Sequence, residues 1–245
     1  PTQNQYAAYT DPYVTEDKCN DSITEPVDPF QRHLYFQSKT LKEDGRLDEA
    51  LISLKQALYI SPTGHTAEQV LRMIRDINVR QGGPSDLAHL NDIIQKDPSD
   101  LVAIYFRGLE YLTQGRFEDA KKDIDEAYKL GLKVHEVRAN KAYVRFMMNP
   151  RFSGAGIVAY DDLRAVVAEE PQDALFRTYL AEMQQARGDV ALLQNWGLIK
   201  GTTFKESECT AIYEQANSNL DEAIDIAPDL GLTYLVRSKI FLSLG

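Results

Sequence analysis

Cysteine is almost missing from this sequence. Cys19 and Cys209 are the two among 245 residues, too few for a disulfide framework and without metal-ligand spacing, so reduced thiols are the expected state. Histidine is nearly as sparse. His33, His65, His89 and His135 fall on separate segments, and His135-Glu136 lacks the second His of a zinc-protease helix, so no metal site is expected. The chain has no G-x-S-x-G elbow, no P-loop and no G-x-G-x-x-G; Gly154-Ala155-Gly156 reads as a turn into a helix. No run approaches the roughly 18 to 20 apolar residues of a membrane span. Positive charge is in deficit as well: 27 Lys and Arg face 37 Asp and Glu. The net charge of −10 disfavours long-range attraction to nucleic-acid phosphates or anionic lipid. It suits a basic partner surface, and equally an acidic helical surface that needs no partner. The expectation is a non-enzymatic chain with no cofactor, no metal, no nucleic-acid partner and no membrane span.

What is present is a recurring helical pattern, most regular between Leu101 and Leu132. Gly108 and Tyr111 sit on a first helix and Gly115 ends it. Ala120, Ile124 and Ala127 then recur on a second helix at steps of three and four, which places them on one face. The same second-helix pattern returns at Ala50, Leu54 and Ala57, at Ala159, Leu163 and Val166, and at Ala216, Leu220 and Ala223. Around Arg72 and Asp86 it is degenerate, because neither residue is the small one the pattern expects. Thr66 reads as the N-cap of the helix before this break. Successive units close at 62, 98, 132, 171 and 228, so the last step is longer than the others by about 23 residues.

The small residue, the aromatic three later, the turn Gly and the Ala-x3-large-x2-Ala run resemble the tetratricopeptide repeat. The resemblance implies an all-α, right-handed superhelix of antiparallel helix pairs, with about 11 to 12 helices in all. It also implies a protein-interaction scaffold or adaptor that takes a partner's peptide or helix along the groove lined by first helices. Positions two, five, nine and twelve of those helices face that groove, and among them Tyr35, Lys39, Tyr105, Leu109, Leu112, Tyr143, Phe146, Thr178 and Glu182 are nominated as partner-binding residues. The Lys and Asn of the family's carboxylate clamp are replaced by Tyr35 and Lys39, or by Tyr105 and Leu109, so recognition of chaperone tails is not expected. A regulatory or targeting part of a larger protein, with catalysis beyond residue 245, remains an alternative.

Three stretches depart from the repeat. Residues 1–29 hold three prolines and Tyr6, Tyr9 and Tyr13 in a polar background, and read as an extended segment before a helical domain over 30–245. Such a leader resembles the spacer behind an export signal or lipid anchor of a bacterial envelope protein, although a cytoplasmic adaptor fits nearly as well. The first helix of the fifth unit is expected to end at Gly188, followed by an irregular insertion at about 190–214 carrying Trp196, Phe204, Cys209 and Tyr213. That insertion reads either as a wall beside the groove or as a shortened second helix with Trp196 filling the gap. Finally, Tyr234, Leu235, Ile240, Phe241, Leu242 and Leu244 cover more than one face of the last helix. This surplus implies that the chain continues past 245, or that the helix docks on a second copy, the leader or another protein.

Overall fold

The structure, a computed structural model, describes residues 28–80, 87–149, 154–201 and 205–244. The leader with Tyr6, Tyr9, Tyr13 and Cys19 lies outside the described residues, as do Asp86 and Phe204. Among the described residues there are eleven helices and no strand. They are α1 (Pro29–Glu43), α2 (Leu47–Ile60), α3 (Gly64–Arg80), α4 (Leu87–Lys96), α5 (Leu101–Thr113), α6 (Phe117–Lys129), α7 (His135–Met148), α8 (Ala155–Glu169), α9 (Ala174–Asn195), α10 (Glu206–Ile226) and α11 (Gly231–Leu244). The odd-numbered helices are the first helices of the pairs. The described residues divide into two compact units, within Tyr13–Arg138 and within Ala139–Gly245, and the boundary falls inside α7.

Several helix starts and stops have a clear local cause. Carboxylates cap the orphan amides of first helices: Asp28 accepts from Phe30 N at 2.8 Å, Asp100 from Ala103 N at 2.9 Å and Asp173 from Phe176 N at 3.0 Å. The turns after α1 and α5 pass through Gly45 and Gly115 at φ +75° and +72°, a conformation that L side chains resist. There the next amide reaches back over the turn, Arg46 N to Leu41 O and Arg116 N to Tyr111 O, both at 2.9 Å.

The pattern that recurs in sequence is the core of each pair. Ala50, Leu54, Ala57, Ala120, Ile124, Ala127, Ala159, Leu163, Val166, Ala216, Leu220 and Ala223 are all 1% exposed or less. In the first unit α1 packs on α2, α5 on α6, α2 on α3 and α4 on α5. In the second, α9 packs on α8, α10 and α11, and α10 also on α11. Close approach needs the small residue of the first helix: a Cβ on Gly108 would lie 2.9 Å from Ile124 Cγ1.

Two expectations are corrected. Thr66 is not an N-cap: the chain turns at Gly64, whose φ is +80°, so α3 begins there and Thr66 is buried within its first turn. Nor does Gly188 end a helix. Helix α9 runs through it for 22 residues, and α10 opposite is 21 residues long, against 13 each for α5 and α6. The reason lies in the partner helix, because a Cβ on Gly188 would meet the Tyr213 ring at 2.6 Å. Glycine here admits a ring; it does not break a helix. The Tyr213 hydroxyl donates to Asp189 at 2.6 Å, and Ala191, Cys209 and Ile212 form a small core with Leu192 beyond it. Burial, and then the neighbouring Asp189 carboxylate, push the Tyr213 phenol far above the usual tyrosine range. Among the described residues, the extra length of the long repeat thus goes largely into extensions of α9 and α10. Trp196 fills no gap: it stands at the end of α9, 65% exposed.

Candidate partner-binding face

Within each unit, polar side chains of one first helix reach those of other first helices. In the first unit, Glu136 of α7 accepts the Tyr105 hydroxyl of α5 at 2.7 Å and pairs with Arg75 of α3. Lys42 of α1 pairs with Asp76 of α3. In the second unit, Glu182 of α9 accepts the Tyr143 hydroxyl of α7 at 2.7 Å and the Lys239 ammonium of α11 at 2.5 Å. The two units therefore repeat one device, a sheltered carboxylate between a tyrosine hydroxyl and a cation, each partner from a different first helix. Charge-assisted bonds of this kind are the strong ones, and shelter from water raises their worth.

Apolar packing backs the polar row. The Tyr143 and Tyr179 rings stack with centroids 3.7 Å apart and planes within 7°. The Thr178 and Thr233 hydroxyls meet at 2.8 Å in a buried contact between α9 and α11. In the first unit the Glu68 carboxylate accepts the His135 amide at 2.9 Å, which ties α3 to the start of α7.

Of the nine residues nominated from sequence, Tyr35, Tyr105, Leu112, Tyr143, Phe146, Thr178 and Glu182 are buried. Lys39 and Leu109 are partly exposed. Tyr143, Thr178 and Glu182 are brought together in the second unit by the contacts above. Sequence reasoning did not nominate the two cations. Lys239 occupies position nine of its first helix and follows from the rule that gave Glu182. Arg75 sits in the degenerate repeat, where the phase is obscured.

Among known proteins, the family model of the tetratricopeptide repeat matches residues 34–63 and 102–130. A TPR protein of Thermus thermophilus is 16% identical, with 86% of this chain and 99% of that chain covered and a TM-score of 0.43. One of Parabacteroides merdae is 18% identical, with 90% and 87% covered and a TM-score of 0.39. YrrB, a TPR protein with an unusual peptide-binding site, is 16% identical, with 87% and 100% covered and a TM-score of 0.32. No curated protein matches the chain.

Proposed function

Since the tetratricopeptide-repeat family model matches residues 34–63 and 102–130, we propose that this chain is a non-catalytic scaffold of that kind, which holds a peptide or helix of a partner protein along its first helices. The observation that carries the reading is the sheltered carboxylate found in each unit. Glu136 and Glu182 each lock neighbouring first helices together, which leaves a stiff, pre-organised face that loses little freedom on binding. In this reading Tyr35, Tyr105 and Leu112 shape the floor within the first unit, and Tyr143, Phe146, Thr178 and Glu182 shape the floor within the second. Lys39 and Leu109, partly exposed on the same row, are the residues that touch the partner. The test is selection of ligands from a random peptide library, followed by calorimetry. Lys39→Glu and Leu109→Asp are expected to weaken a selected peptide about tenfold each, roughly 1.4 kcal/mol. Lys122→Glu and Ile52→Asp, on exposed faces of second helices, are expected to leave it unchanged. The reverse pattern would move the site to the second helices.

A second reading rests on α11. Tyr234, Leu235, Phe241 and Leu242 recur at steps of seven and are all exposed, an apolar stripe of the sort that pairs helices. Self-association through this stripe would appear as a concentration-dependent mass in light scattering, abolished by Phe241→Ser with Leu242→Ser. A monomer at all concentrations removes the reading.

A further inference from the structure

The lengthened α9–α10 hairpin ends in a tip unlike the turns after α1 and α5. At Gly197, φ +69°, the helix closes as it does at Gly45 and Gly115: Gly197 N reaches Gln194 O at 3.0 Å, and Leu198 N reaches Leu193 O at 2.9 Å. At the two earlier turns the residue after the glycine is an exposed arginine, Arg46 or Arg116. Here it is Leu198, 68% exposed, flanked by Trp196 at 65% and Ile199 at 40%. Lys200 and Lys205 are exposed beside them, and residues 190–205 contain no Asp or Glu. Turn chemistry does not require apolar residues at these places, since the arginine turns close in the same way.

The hairpin is built to hold this tip out. Tyr143 of α7 meets Glu182 of α9 and α7 ends soon after, at Met148, so the turns of α9 beyond Gly188 extend past the end of that neighbour. Seven further residues at about 1.5 Å each carry the tip roughly 10 Å onward. The Gly188–Tyr213 contact and the small core of Ala191, Cys209 and Ile212 stiffen the extension from within.

We propose that the tip is a membrane-surface anchor that inserts Trp196, Leu198 and Ile199 into the interfacial zone of a lipid bilayer while Lys200 and Lys205 meet anionic headgroups. Each residue type suits that boundary. The indole ring prefers the headgroup level, the aliphatic chains prefer the acyl side, and ammonium groups reach lipid phosphates. Trp196, Leu198 and Ile199 are exposed together, and a deformable bilayer accepts exposed apolar side chains without a matching pocket. The net charge of −10 does not defeat the contact. An extension of roughly 10 Å is about one Debye length at 0.1 M salt, so repulsion between the acidic body and the lipid surface is weakened. The inference is independent of the first-helix face.

Trp196 is the chain's one tryptophan, so its fluorescence reports on the tip alone. The experiment adds vesicles of phosphatidylcholine with phosphatidylglycerol to the whole protein at 0.1 M salt, reading emission and co-sedimentation. The expected result is a shift of Trp196 emission to shorter wavelength together with co-sedimentation, while helical circular dichroism stays unchanged. Leu198→Ser with Ile199→Ser should abolish co-sedimentation, and Lys200→Gln with Lys205→Gln should lower lipid affinity at least tenfold. Unshifted emission with protein left in the supernatant overturns the proposal and leaves the tip to a protein pocket. Co-sedimentation of the Leu198→Ser, Ile199→Ser variant at the wild-type level overturns it too, since lipid would then be bound elsewhere.

Discussion

Gly188 carries more of the fold than its size suggests. Alanine there would gain about 1 kcal/mol in helix propensity. Its Cβ, however, would lie 2.6 Å from the Tyr213 ring, and overpacking of this kind costs about 1 to 3 kcal/mol or more. Gly188→Ala is therefore expected to lower stability by up to about 2 kcal/mol, seen as a lower urea midpoint at unchanged slope. Tyr213 makes a second, pH-dependent expectation. Its folded pKa is raised by burial, then by Asp189, so the folded state keeps a proton that the unfolded state loses near pH 10. The contribution is complete below pH 10 and is lost as pH rises above it. Urea titrations from pH 9 to 11 should show wild type losing more stability over that window than Tyr213→Phe. Equal losses would place the phenol in water.

Among the elements, first helices are tied by polar bridges and pairs by apolar faces, and the two respond differently to substitution. Glu182→Ala strands the Tyr143 hydroxyl and the Lys239 ammonium, an expected cost of about 1 to 3 kcal/mol. Tyr143→Phe removes only the donor and should cost less. A double-mutant cycle between the two positions should give clear coupling, and additivity would mean that the bond contributes nothing. Asp100→Ala removes the cap of α5 and the partner of Lys55 at 2.8 Å, so about 1 to 2 kcal/mol should be lost in the same assay. The second helices were legible in sequence because Ala120, Ile124 and Ala127 report local periodicity, and burial then follows. The course of α9 was not legible, since what decides it is Tyr213, 25 residues away, which turns an apparent stop at Gly188 into a packing site. The candidate face was half legible. Position alone nominated Tyr105, Tyr143 and Glu182, but their burial depends on how one first helix stacks on the next.

At the scale of the molecule, a repeat protein's stability lies between neighbours and its specificity lies in the row of side chains that the repeats present. That row is the central claim, and its most direct test is photo-crosslinking in the native cell with a photoreactive residue at single positions. Leu109 and Lys39 sample the first-helix row; Ile52 and Lys122 sample exposed faces of second helices. The account expects one discrete partner captured at Leu109 and Lys39 and absent at Ile52 and Lys122. A partner captured at Ile52 or Lys122 and missed at both first-helix positions would contradict it.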